Sequence, residues 1–63
     1  MAKRIFISKI ETINSRINDA LNKGNIGNAQ KLVHQRSSML SHGIADGLIT
    51  FLDAMALQSA AKM

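Results

Sequence analysis

The chain contains no cysteine, proline, tryptophan or tyrosine, and two phenylalanines are its only aromatic residues. Without cysteine there is no disulfide within the chain and no thiolate ligand for a structural metal. Without proline, helices can run uninterrupted, and the many Ala, Leu, Ile, Lys and Gln residues favour them. These absences predict an all-α protein that forms a single helical domain, residues 1–63.

The chain is short for a self-sufficient core, with 63 residues. A chain of about 60 residues buries only about 60% of the surface that it exposes when unfolded. Small domains therefore often depend on a disulfide, a metal or a partner subunit. Because a disulfide is excluded and a metal would find few ligands, we expect self-association into a homodimer or a larger bundle.

Residues for catalysis or metal binding are few and badly spaced. The two histidines, His34 and His42, are eight residues apart, which is about 12 Å along a helix and too far for one metal ion. The serines that follow His34 have no orienting group or oxyanion site in view. Gly24 and Gly27 are not followed by the Lys-Ser/Thr pair of a phosphate-binding loop. We predict that the protein is not an enzyme and has no cofactor, metal or catalytic site.

An apolar seam with steps of four and three residues predicts the first helix: Phe6, Ile10, Ile13 and Ile17. Two starting points are compatible with this seam. Ser8 and Glu11 match a capping box, which would begin the helix at Ser8, whereas a start near Lys3 places Ser8 inside it. The regular spacing of Phe6 with the later isoleucines favours the longer helix.

A short glycine-containing turn follows, residues 23–28. Lys23 would lie in the last helical turn, Gly24 suits the position just after a helix, and Asn25 or Asn28 can cap the next helix. Because the connection is so short, the two helices must be antiparallel neighbours. The sequence therefore predicts a helical hairpin.

The second helical segment spans residues 27–60 and is much longer than the first. As one continuous helix of some 33 residues it would be about 50 Å long, against about 22–30 Å for the first helix. Its apolar end, around residues 50–63, would then project beyond the hairpin with no partner in the chain. Gly43 and Gly47 allow the alternative of a break that folds the last part back into a three-helix unit. We favour the continuous or mildly kinked helix.

The apolar end of this segment, residues 44–57, is the most distinctive part of the sequence. Its polar residues Asp46, Thr50 and Asp53 are four and three apart, which predicts one narrow solvent-facing stripe on an otherwise apolar helix. The segment is shorter than the roughly 20 apolar residues of a membrane-spanning helix, so we expect no transmembrane segment and a cytoplasmic protein. The predicted partner or oligomer interface consists of Ile44, Leu48, Ile49, Phe51, Leu52, Met55 and Leu57.

One stretch carries a family resemblance. Residues 31–40, which read KLVHQRSSML, open a helix after a polar turn and resemble the small export chaperones of flagellar and type III secretion systems. The resemblance covers residues 24–44, and this chain has Gly27 where that family often has a large apolar residue. It implies a helical hairpin or short bundle that holds a secreted subunit by its amphipathic helix.

These features favour a small protein-binding protein that acts as an adaptor, chaperone or inhibitor. A basic first half favours an alternative, a helical bundle that binds nucleic acid through phosphate contacts. The candidate residues are Lys3, Arg4 and a basic face of Lys9, Arg16, Lys23, Lys31 and Arg36. A further alternative is a structural subunit of a helical assembly, similar in outline to type III needle subunits.

Overall fold

The computed structural model describes residues 2–63 and contains three helices there, α1 (Ala2–Asn22), α2 (Ile26–Ala45) and α3 (Phe51–Ser59). Helices α1 and α2 form an antiparallel hairpin, and α3 folds back to contact both of them. The described residues include no strand, so the predicted all-helical fold is confirmed. None of these helices combines the length and apolar character needed to cross a membrane.

Helix α1 begins at Ala2, which is the longer of the two predicted alternatives. Ser8 therefore lies inside the helix, where its carbonyl oxygen accepts a hydrogen bond from Thr12 Oγ1 at 3.0 Å. The predicted seam is confirmed, because Ile10, Ile13 and Ile17 are all buried.

In the turn between α1 and α2, Gly24 and Asn25 act as predicted, whereas Lys23 directly follows α1 and does not lie in its last turn. Gly24 has a φ of +75°, a left-handed conformation that glycine adopts without steric cost. The N–H of Asn25 donates to the carbonyl of Ala20 at 2.8 Å, which closes the end of α1. The side chain of Asn25 then accepts from the N–H of Asn28 at 3.3 Å and caps α2.

The prediction of one continuous second helix is wrong. Helix α2 ends at Ala45, and Gly47 has a φ of +74°, which directs the chain out of the helix. Thr50 then caps a new helix that begins at Phe51. Its side chain accepts from the N–H of Asp53, and the Asp53 carboxylate accepts from the N–H of Thr50, both at 3.1 Å. The structure therefore has the alternative arrangement, in which a break after α2 folds the last part of the chain back into a three-helix unit.

Two further predictions fail together with the continuous helix. Asp46, Thr50 and Asp53 do not share a helical stripe, because Asp46 caps the end of α2 while Thr50 and Asp53 form the capping box of α3. The apolar end also does not project unpartnered, since α3 packs back against the hairpin.

Gly43 has a different role from Gly47. It lies within α2, where a Cβ atom at its position would be 2.6 Å from Cζ of Phe6. The absence of a side chain therefore lets the Phe6 ring approach the backbone of α2 closely. The core beside this contact combines residues from all three helices and from the α2–α3 connection: Ile10, Leu40, Ile49 and Ala54, with Phe6, Ile7, Met39 and Leu57 packed against them.

Candidate protein-binding surface

Helix α3 has an inner and an outer face. On the inner face Ala54 is buried and Leu57 is half-buried against the core. On the outer face Phe51, Leu52 and Met55 are exposed by 67%, 76% and 52%. Residues spaced three and four apart lie together on a helix, so these three side chains form one apolar area, which we call the α3 surface.

The capping box at the start of α3 fixes which residues face outward. It holds the first turn, so that Phe51 and Leu52 follow directly on the cap. The hydrogen bond from the Thr50 N–H, and next to it the contact with Lys3, hold the pKa of Asp53 below its ordinary value. Lys3 Nζ lies 3.2 Å from Asp53 Oδ2, so the start of α3 is also attached to the start of α1.

A polar cluster of Asn14, Asn18 and Arg36 holds the other end of α3 and the residues that follow it. Asn14 Nδ2 donates to the carbonyl of Leu57 at 2.8 Å, and Asn18 Oδ1 accepts from the N–H of Lys62 at 2.9 Å. Arg36 Nη1 donates to Asn14 Oδ1 at 2.9 Å, and its Nη2 donates to the main-chain oxygen of Met63 at 2.8 Å. This polar cluster ties the last part of the chain to both long helices.

Arg36 is unusual because it is only 4% exposed. Burial lowers its pKa from the ordinary value, and its Nε has no hydrogen-bond partner among residues 2–63. Within the same residues no Asp or Glu side chain forms an ion pair with it. Since a buried charge is costly unless it is hydrogen-bonded, the amide of Asn14 is a central support of this guanidinium.

The predicted interface residues do not all lie together. Phe51, Leu52 and Met55 form the α3 surface, and Ile44 is exposed by 37% at the end of α2. Leu48 is half-buried in the connection before α3, and Leu57 packs against the core. Ile49 needs a correction, because it is only 5% exposed and belongs to the core. The candidate surface is therefore smaller than predicted.

The predicted basic face also loses a member. Lys9, Arg16, Lys23 and Lys31 are exposed, as are Lys3 and Arg4, but Arg36 is buried in the polar cluster. The prediction that Arg36 belongs to an exposed basic face is therefore wrong.

Sequence reasoning did not identify Asn14 and Asn18 as important residues. A signal for Arg36 was present, because it lies seven residues from both Ala29 and Gly43 and so occupies the inward row of α2. For Asn14 the signal is weaker, since it borders the buried row of α1 and only the position of α3 explains its burial.

The described residues contain no cluster of three or more His, Asp or Glu side chains that could hold a metal ion. Comparisons with protein-family models, with curated proteins and with solved structures gave no match.

Proposed function

We propose that this chain is a non-enzymatic protein-binding protein, and that its α3 surface pairs with the same surface of a second copy. The observation that supports this most directly is the exposure of three large apolar side chains on one face of a nine-residue helix. Contiguous apolar areas of this kind mark interaction sites on soluble proteins. Phenylalanine and methionine are also enriched where proteins meet.

Two other strongly exposed apolar residues do not form a comparable area. Ile5 and Ile26 are exposed by 61% and 49%, but they lie near opposite ends of the hairpin, one on each long helix. Single exposed apolar side chains are common on protein surfaces and need no partner. The α3 surface differs because its three members are adjacent.

The distribution of charge favours pairing of two copies through the α3 surface. The formal net charge of the chain is +4, which disfavours close approach of two copies through their basic sides. The three side chains of the α3 surface are uncharged, and the two charges at the start of α3, Lys3 and Asp53, are paired with each other. A two-fold arrangement would therefore bring apolar side chains against identical ones without opposing like charges.

The resemblance of residues 24–44 to export chaperones supports the same class of function. Those residues lie in the turn and in α2, whereas the α3 surface follows them in the chain. A client helix could therefore take the place of the second copy on the same apolar area. We propose adaptor, chaperone or inhibitor as the role, with self-pairing as the first interaction to test.

The experiment is sedimentation velocity of the intact chain over a wide concentration range. The wild type should shift from monomer towards dimer as concentration rises. The double variant Phe51→Ser/Leu52→Ser should weaken dimerisation by at least about tenfold, which corresponds to about 1.4 kcal/mol. The matched control Ile26→Ser, which also replaces an exposed apolar residue, should dimerise like the wild type.

Removing α3 altogether is a poor test, because truncation would uncover the core around Ile10 and Leu40. The surface variants avoid this problem, and circular dichroism would verify that they remain helical. A wild type that stays monomeric at every concentration would refute self-pairing. Equal dimerisation of the wild type and the Phe51→Ser/Leu52→Ser variant would show that copies pair through another surface.

A further inference from the structure

A second surface lies on the other side of the hairpin from α3. Between α1 and α2 runs a groove that is lined on one side by Lys9 and Arg16 of α1 and by Lys23, which directly follows that helix. Helix α2 contributes lining residues spaced three and four apart: Asn28, Leu32, Gln35 and Met39. We call this surface the basic groove. On α1, the buried residues Ile13 and Ile17 lie between this groove and the side that carries Asn14 and Asn18. These two asparagines contact α3 and the residues that follow it.

The cations of the basic groove have a regular period. Lys9, Arg16 and Lys23 follow one another at intervals of seven residues. Lys9 and Arg16 lie on one stripe of α1, about 10.5 Å apart, and Lys23, whose N–H donates to the carbonyl of Asp19 at 3.1 Å, continues the stripe just past the end of α1. Lys31 is exposed on α2, three residues from Asn28 and four from Gln35, which puts it on the same side of that helix.

Among residues 2–63, Asp19 is the one acidic residue that lines the basic groove. Asp19 lies 3.3 Å from Lys23 in an exposed pair. Such exposed pairs contribute little to stability and are easily rearranged. Lys9, Arg16 and Lys31 form no ion pair among residues 2–63, and the groove therefore keeps an excess of positive charge.

The floor of the basic groove contains two apolar side chains with the same spacing as its cations. Leu32 and Met39 are half-buried and seven residues apart. A row of apolar residues beside a row of charges, both repeating every seven residues, is the pattern by which helices pair in coiled coils. The complementary partner is a helix that presents apolar residues at the same period with carboxylates beside them.

We infer that the basic groove docks an acidic amphipathic helix of another protein. The partner's apolar row would pack over Leu32 and Met39, and its Glu or Asp side chains would pair with Lys9, Arg16 and Lys23. Charge complementarity of this kind speeds association and selects the partner and its register.

Two other occupants fit less well. A second copy of this chain has no helix with carboxylates seven residues apart among residues 2–63, because Asp46 and Asp53, which have that spacing, are separated by the break between α2 and α3. Nucleic acid would gain phosphate contacts, but the apolar floor offers it nothing. Base stacking also lacks a platform, since Phe6 packs on Gly43 and Phe51 lies on α3.

The test uses a synthetic helical peptide of about 21 residues, with Leu in the apolar heptad positions and Glu beside them. Binding to the intact chain is measured by fluorescence anisotropy at moderate salt. The Arg16→Glu variant should weaken binding by at least about tenfold. The Arg4→Glu variant makes the same change in charge on the same helix but outside the basic groove, and it should weaken binding by less than about threefold, the effect expected of net charge alone.

Three controls can overturn the inference. A peptide with every Glu replaced by Gln should bind much more weakly, and polyglutamate of equal length should too, because it lacks the apolar row. Equal binding of either probe would refute a heptad-matched docking site. Tighter binding of an RNA or DNA duplex than of the peptide, lost in Arg16→Glu, would assign the groove to nucleic acid instead.

This inference does not depend on the proposed α3 pairing. The Phe51→Ser/Leu52→Ser variant should bind the acidic peptide like the wild type, because it leaves the basic groove intact. Conversely, Arg16→Glu should leave dimerisation through the α3 surface unchanged. Each result can therefore fail without the other.

Discussion

At the scale of single residues, Arg36 and Asn14 are mutually dependent. The guanidinium is 4% exposed and the amide is also 4% exposed, and they are joined by a hydrogen bond of 2.9 Å. The same amide donates to the carbonyl of Leu57, so one side chain satisfies groups on α2 and α3 at once. Removing it leaves polar groups buried without partners, which is the costly case for a buried hydrogen bond.

We expect Asn14→Ala to lower the free energy of unfolding by about 2–4 kcal/mol, because it leaves Nη1 of a buried Arg36 unpaired. The double variant Asn14→Leu/Arg36→Met should cost less than the sum of its single changes, with a coupling of about 1–3 kcal/mol. Urea unfolding followed by circular dichroism measures both quantities. Asn22→Ala, at the exposed end of α1, is the control and should change little. Strict additivity of the two changes would contradict the proposed dependence.

The burial of Arg36 could be partly predicted from the sequence, since its seven-residue spacing from Ala29 and Gly43 places it in the inward row. Its charge indicated the opposite, an exposed basic residue, because arginine is seldom buried without a partner. The partner that resolves this conflict, Asn14, is 22 residues away in the chain. A local pattern does not indicate which of several asparagines an inward arginine will meet.

At the scale of elements, the hairpin was predictable and the third helix was less so. Gly24 and Asn25 give a complete local signal for a helix end followed by a helix start, and both act as predicted. The second break rests on Gly47 and on a Thr50–Asp53 capping box. The same two polar residues also fit a helical stripe, because a spacing of three is common to both patterns. Apolar periodicity alone does not distinguish a continuous helix from a break, since it does not show that Gly47 has a positive φ.

The capping box makes the stability of α3 dependent on pH. The Thr50 N–H and Lys3 hold the pKa of Asp53 below its ordinary value in the folded chain. A carboxyl with a depressed folded pKa contributes stability above its unfolded pKa, near 4, and loses it as pH falls through the lower folded value. We therefore expect the melting temperature to fall as pH drops below about 4, and Asp53→Asn to remove part of that dependence.

Thermal melts at a series of pH values measure this effect. Asp46→Asn is the matched control, since Asp46 caps the end of α2 and takes no part in the capping box. Asp46→Asn should leave the contribution of Asp53 to the pH dependence of the melting temperature unchanged. Parallel pH profiles for the wild type and Asp53→Asn would show that the cap does not contribute in the folded chain.

At the scale of the whole molecule, the return of α3 replaces the long projecting helix that the sequence favoured. The described chain measures 35 Å in its longest dimension, well below the about 50 Å of a continuous second helix. The apolar surplus in residues 44–57 is consequently divided. Ile49, Ala54 and Leu57 supply the core, and Phe51, Leu52 and Met55 are left outside. Only the tertiary path of the chain decides this division, because both sets are equally apolar in sequence.

Helix α3 should be the least protected helix of the fold. An isolated helix shorter than about 12–15 residues is marginal in water, and α3 has nine residues. Its helicity therefore depends on docking through Ala54, Leu57 and the hydrogen bond from Asn14. We expect its amides to exchange with solvent faster than those in the middle of α1 and α2, through local opening that leaves the hairpin folded.

Two leucines of α3 provide a matched test by hydrogen exchange at concentrations where the protein is monomeric. Leu57 packs on the core, whereas Leu52 is 76% exposed on the outer face. Leu57→Ser should accelerate exchange throughout α3 by more than about tenfold, because it removes a docked apolar side chain worth more than about 1.4 kcal/mol. Leu52→Ser should change it little. If α3 and the hairpin exchange at one common rate in the wild type, the three helices unfold as a single unit and α3 does not open independently.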